Sequence, residues 1–221
     1  MGSSKSNKPY KEIPISVLSD VFSMLGVPTN LIGSIFKNYS KRRIEESKRI
    51  FFEEMSKGKI SNFDISIEDD EIAILQRYAL ATHQGVAKRN LRLLAKAMVG
   101  LSKRDKLYSD EFAKHAAVLE SLTRDQTLLL GTIWQFYLVN KANGEDDNNS
   151  WSDAWKKSFD VLLPDQFESG HHIYATGCQL FGTGLLFPQA AVGGSNIKNT
   201  VFFAELMELV EMNLDELLAD D

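Results

Sequence analysis

What is scarce in these 221 residues bounds the reading first. There is one cysteine, Cys178, so an internal disulfide framework and a Cys-rich zinc site are both excluded. A reducing, cytoplasmic setting is the expectation. No proline falls between Asp69 and Asn143, which leaves that stretch open to long helices. No Gly-x-x-x-x-Gly-Lys or Gly-x-Gly-x-x-Gly segment occurs, so the usual phosphate cradles are missing. Long apolar runs are missing too. The most apolar window, Ile13 to Phe36, is interrupted by Asp20, Pro28 and Asn30. It falls short of the roughly 18 unbroken apolar residues of a spanning helix. Basic residues become rare toward the end: beyond position 144 only Lys156, Lys157 and Lys198 remain.

What is present is 43% hydrophobic and 25% charged, the balance of a soluble protein with a sizeable core. Residues 1–12 read as a disordered tail, polar and without an apolar signal core behind it. Residues 13–144 read as a helical scaffold. Pro14 opens a short helix that Gly26 stops. Pro28 and Thr29 open a longer one, a rod about 40 Å long that ends near Lys57 with Gly58 as its cap. Phe63, Ile65 and Ile67 alternate with polar residues, as a short strand or a linker pressed on the core. Asp69, Asp70 and Glu71 suit a helix N-terminus. The stripe Ile72, Leu75, Ala79, Thr82, Val86, Leu93 and Ala97 then predicts a second long helix, ended by Gly100 and the cations of Ser102-Lys103-Arg104. A shorter helix starts at Ser109 or Asp110. Thr123 and Gln126 form a capping box that opens a strongly apolar helix through Trp134.

The polar stretch Asn143 to Asn149 is the candidate boundary. Residues 145–212 follow as an acidic, winged-helix-like segment. It has a helix from Ser150 to Leu163 stopped by Pro164 and another from Gln166 or Gly170 to Phe181. A small hairpin turns at Gly193-Gly194, and a last helix is opened by Thr200. Residues 213–221 read as an acidic tail. Charge divides at the same boundary. Residues 1–144 hold 22 Lys and Arg against 16 Asp and Glu, a net +6; residues 145–221 hold 3 against 14, a net −11. The two parts either attract each other or meet different partners.

Three clusters of cations interrupt the scaffold: Lys41 to Arg43; Lys88, Arg89, Arg92 and Lys96; and Lys103, Arg104 and Lys106. Each reads plainly as a solvated face. The functional alternative is an anionic partner, whether RNA, lipid headgroups or the acidic end of another copy. The basic end of the Ile13 to Phe36 window keeps peripheral membrane contact open. Trp151 and Trp155, one helical turn apart, read as core or interface anchors, and with Arg89, Arg92 and Lys96 they make the candidate interaction surface. Asn90 lies in an apolar stripe and needs a hydrogen bond if buried. Glu168 and His171 have the spacing of a carboxylate-metal helix, but no second copy of the pair exists. His172 and Cys178 add ligands only at uneven spacing. Cys178 reads as a buried structural thiol. His83 and His115 are isolated within helical runs. No catalytic, cofactor or metal set is expected. DNA contact by the acidic segment is disfavoured, because it lacks the cations that neutralise phosphates.

Three pieces together carry a resemblance: Arg89 to Lys96; Leu107 to Phe112 with Leu119 to Gln126; and Gly182 to Leu186 with the hairpin and last helix. Residues 70 to 212 resemble uncharacterised bacterial and prophage helical proteins with a winged-helix-like C-terminal end, and more loosely the abortive-infection alpha type. The resemblance implies a phage or prophage setting and a part in phage–host conflict. It brings no catalytic residues. The expectation is a mainly α-helical protein: a bundle with two long helices and a C-terminal winged-helix-like segment bearing a small β-hairpin. It would act as a non-enzymatic scaffold or interaction protein through protein contacts and self-association. A winged-helix DNA-binding regulator and a membrane-associated effector are the alternatives.

Overall fold

A computed structural model describes residues 34–58, 69–104, 107–191, 194–213 and 216. Among them are eight α-helices and one two-stranded sheet near the C-terminus. The helices are α1 (Ser34–Lys57), α2 (Asp69–His83), α3 (Lys88–Lys103), α4 (Ser109–Ser121), α5 (Arg124–Ala142), α6 (Asp147–Leu162), α7 (Gly170–Gln179) and α8 (Val201–Leu209). A 3-10 turn, Leu180–Thr183, leads from α7 into the hairpin β1 (Leu186–Ala191) and β2 (Gly194–Asn199). The strands are antiparallel, with Leu186 opposite Asn199 and Ala191 opposite Gly194. The expected helix at Pro14, the alternating segment at Phe63 and the window to Phe36, apart from the start of α1, lie outside the described residues.

The second long helix of the sequence reading is two helices. Gly85 breaks it with a left-handed φ of +85°. The Gly85 N–H donates to the Thr82 carbonyl at 3.3 Å and the Val86 N–H to that of Ala81 at 3.1 Å. These two bonds close α2 as a Schellman motif and use carbonyls that the helix leaves unpaired. Arg43 completes the turn from α1: its Nε reaches the Thr82 carbonyl at 3.2 Å and Nη2 that of Val86 at 2.6 Å. One member of the first cationic cluster is thus engaged at a helix C-terminus, where a cation is stabilising. The apolar stripe survives the break because α2 and α3 pack against common neighbours.

Local signals hold where capping is local. Thr123 Oγ1 accepts from the Gln126 N–H at 3.2 Å, and Gln126 Oε1 accepts from the Thr123 N–H at 3.0 Å. Thr200 Oγ1 likewise caps α8 by accepting from the Phe203 N–H. Helix α6 starts earlier than Ser150, because Asp146 caps it by accepting from Asn148 and Asn149. The stretch around Asn143 is a tight joint: Gly144 takes φ +86°, and the Glu145 N–H returns to the Asn140 carbonyl at 3.2 Å. Across it, Asn140 Nδ2 donates to the Ser150 carbonyl at 3.1 Å. Residues from both sides share one apolar core.

Helix α3 lies centrally against α1, α2, α4 and α8, while α5 packs on α6 and α7. Helix α8 joins the two groups. Its Phe203 meets Trp134 of α5 and Trp151 of α6 edge-on, at 5.8 and 5.4 Å between centroids. Helix α3 ends where its Ser102-Lys103-Arg104 cations predict, at Lys103 with Arg104 as the cap, but Gly100 is not itself the stop. It sits inside α3, where the carbonyl of Leu209 at the end of α8 leaves no room for a side chain. No helix among the described residues is long and apolar enough to cross a membrane.

Candidate functional site: a cationic helix and the acidic end it holds

The residues read from sequence as an interaction surface divide in the structure. Trp151 is buried, and its Nε1 donates to the Ile197 carbonyl of β2 at 2.7 Å. Trp155 is half-buried, edge-on to Phe159 and pressed over Gly177. The pair holds the hairpin and α7 against α6. Arg89 and Arg92 are also buried on α3. Asn90, buried beside them, donates through Nδ2 to the Leu122 carbonyl at 2.7 Å, which ties α3 to the joint between α4 and α5.

Where α3 faces α1 and the C-terminal end, cations meet acids. Arg92 Nη1 contacts Glu53 at 3.1 Å and the buried Glu54 at 2.5 Å. Lys57 reaches Glu53 at 3.0 Å, Glu54 at 3.1 Å and Glu216 at 3.4 Å. Lys96 also pairs with Glu216. Further along, Lys103 meets Glu211 at 3.0 Å, Arg104 meets Glu208 at 3.7 Å and Lys114 of α4 meets Glu205 at 3.4 Å. The positive scaffold and the negative end therefore bind each other, one of the two outcomes the charge division allowed. Between them lies a cavity of about 220 Å³ lined by Lys57, Lys96, Lys103, Glu211 and Glu216.

These contacts move proton affinities. The hydrogen bond from Lys57, with the charge of Arg92 beside it, overcomes burial and holds Glu53 below the ordinary glutamate value of 4.5. Burial pushes Glu216 up, yet Lys96 and Lys57 outweigh it and leave that carboxyl low as well. Burial opposes the charge on Lys57, but its bonds to Glu53 and Glu54 raise it. A carboxyl that is more acidic folded than unfolded binds fewer protons in the native state. Its contribution is complete above its unfolded pKa and is lost as pH falls through the folded one. Thermal melts are therefore expected to hold down to about pH 5 and fall below it. Replacing Glu53 and Glu216 together by Gln is expected to flatten that fall; an unchanged slope would show the pairs to be idle.

Two apolar grooves open elsewhere. One, of about 770 Å³, runs between α2 and α4 over Ala73, Leu80 and Ala113. The Arg77 guanidinium grips both oxygens of Glu120 along its wall, at 2.9 and 3.2 Å. The other, of about 590 Å³, lies between the second half of α5 and the end of α8. Its floor is Trp134, Met207 and Met212, and Leu138 and Val139 stand beside it, 48% and 50% exposed.

The sequence candidates for metal do not converge. Glu168 precedes α7, whose cap is Ser169, so it shares no helix face with His171. His172 faces Asp125 at 3.5 Å and the ring of Phe167. Cys178 is half-buried against the core rather than enclosed. Among the described residues one ligand-type group does come together: Glu111 and His115 of α4 with Glu205 of α8. Its visible trace was the spacing of Glu111 and His115, one turn apart in a predicted helix; Glu205, far along the chain, had no such trace. Burial holds the His115 imidazole below its ordinary pKa, against the pull of Glu205. Compared with known proteins, the chain matches no family model, no curated protein and no solved structure.

Proposed function

We propose that this chain is a non-enzymatic scaffold or interaction protein of a phage, prophage or bacterial-defence setting, and that its partner surface, the α5–α8 groove, receives a second copy of the chain. The setting rests on the resemblance of residues 70 to 212; the mechanism rests on the groove. The observation that carries it is the pairing of an apolar ridge with an apolar slot on one face. Leu138 and Val139 project beside a groove floored by Trp134, Met207 and Met212. A two-fold axis would let each copy place its ridge in the other's slot, the self-complementarity an isologous dimer needs. Methionine adapts its shape at such contacts. The adjoining rim carries both signs, Lys103 and Arg104 beside Glu208 and Glu211, which a symmetric partner can complement.

The ion pairing inside the chain favours a protein partner over a polyanion. Arg92, Lys96, Lys103 and Arg104, cations that RNA or lipid would need, already face Glu208, Glu211, Glu216 or the acids of α1. The order α6, α7, hairpin, α8 supports a winged-helix-like reading of residues 145–212. Their acidity favours a wing that contacts protein rather than phosphate.

Sedimentation velocity over a concentration series tests the reading. A reversible monomer–dimer equilibrium is expected. Leu138→Glu with Val139→Glu should leave a monomer at every concentration and an unchanged melt for each chain, since both side chains are exposed. A parent protein that stays monomeric up to its solubility limit would remove the proposal. So would turnover of a nucleotide, peptide or phosphodiester.

A further inference from the structure

The geometry points to a divalent transition-metal site formed by Glu111, His115 and Glu205, which clips α4 to α8. His115 is fully buried, and neither ring nitrogen has a hydrogen-bond partner. Its ring lies stacked on Phe202, centroids 5.4 Å apart, so its direction is fixed. Nε2 faces Glu111 Oε2 at 3.9 Å and Glu205 Oε1 at 4.0 Å. Neither tautomer suits this arrangement alone. An Nε2–H stops short of both carboxylates, beyond the reach of a hydrogen bond. An Nε2 lone pair instead points at two negative charges. A cation in the gap gives Nε2 and both carboxylates a partner at once and leaves the imidazole proton on Nδ1.

The ligand set selects the ion. One imidazole nitrogen and two carboxylate oxygens suit zinc or a neighbouring first-row ion rather than Mg²⁺ or Ca²⁺, which prefer all-oxygen shells. The three ligand atoms already lie within 4.8 Å of one another. Bonds of about 2.1 Å would draw them to about 3.4 Å in a tetrahedral site. The carboxylates can make that adjustment, because the Glu111 and Glu205 side chains are 41% and 37% exposed while the imidazole is held. Lys114 is the competing cation. Its Nζ sits 3.4 Å from Glu205 Oε2 and 4.9 Å from the Phe202 ring centre, on a side chain exposed enough to move aside. Three protein ligands leave a coordination position for water or for a group from outside the chain. The site is separate from the α5–α8 groove, so it stands whether or not the chain dimerises.

The test uses the full chain stripped with EDTA and desalted, titrated with Zn²⁺ by calorimetry and with Co²⁺ by visible absorption. One equivalent per chain is expected, with Co²⁺ ligand-field bands and a higher melting temperature in Zn²⁺. Glu111→Gln and Glu205→Gln keep side-chain volume, and each should weaken Zn²⁺ by more than about tenfold, the lower end of what even outer-sphere changes cost. Both should melt like the parent in EDTA. Lys114→Gln should tighten binding by removing the competitor. Absence of saturable binding in the parent would overturn the proposal. So would binding that survives both glutamine variants, or binding lost instead in His171→Ala with His172→Ala.

Discussion

Gly100→Val is expected to lose about 4 kcal/mol of stability, near the limit of what one substitution does. The reason is a backbone contact. A Cβ at Gly100 would overlap the Leu209 carbonyl oxygen and lie 2.7 Å from Leu209 Cδ1 and 3.1 Å from the Leu209 carbonyl carbon. A flexible side chain could turn away, but the end of α8 cannot move without dragging Phe203 and Leu206 out of the core. Overpacking alone costs about 1–3 kcal/mol and more when backbone must shift. Gly100→Ala is the milder case: the better helix former returns about 1 kcal/mol against a smaller clash, for a net loss of about 2 kcal/mol. Gly182→Ala is the control, since nothing lies within 4 Å of its Cβ position; it should change stability by less than about 0.5 kcal/mol. Urea melts read all three. The larger variant should also weaken self-association and metal binding together, because α8 carries Met207 and Glu205. A Gly100→Val protein as stable as the parent would mean that α8 is not held on α3.

That glycine illustrates what sequence could and could not tell. Gly85 and Gly100 both fall within the segment read as one long helix, and their identity does not distinguish a helix stop from a close packing contact. Gly85 is the stop, with its left-handed φ, while Gly100 is the contact. The difference depends on where Leu209 falls, more than a hundred residues later. Signals that act within four residues were legible: the Thr123 box, the Thr200 cap and the acidic start of α2. The charge division was legible as a sum but not as a set of partners. Which lysine meets Glu216 or Glu211 is decided by α8 crossing α3. The same holds for His115, half of whose arrangement lies within one turn of α4 and half on α8. Whether Trp151 anchors the core or an interface was open for a related reason. A tryptophan beside an acidic loop has the same spacing pattern whether it faces solvent or the underside of a hairpin.

Trp151→Ala therefore separates two readings of one residue, and a loss of about 4 kcal/mol is expected. Trp151 is 1% exposed, and it touches both Phe203 of α8 and the backbone of β2. Removing it opens a cavity between α6, α8 and the hairpin and leaves the Ile197 carbonyl, in a buried part of the strand, without its donor. Trp151→Phe keeps the edge-on contact and most of the volume. It should cost about 1–2 kcal/mol, chiefly the unsatisfied carbonyl. Trp155→Ala should cost less than Trp151→Ala, because Trp155 is only half-buried and its main partners are Phe159 and Gly177. Denaturant melts followed by near-ultraviolet circular dichroism check the order: Trp151→Ala loses most, Trp155→Ala less, and Trp151→Phe stays nearest the parent. A tryptophan that served only as a docking surface would leave stability intact and change association alone. If Trp151→Ala behaved that way, the hairpin would not depend on α6, and a wing free to engage another molecule would be the better description of residues 186–199.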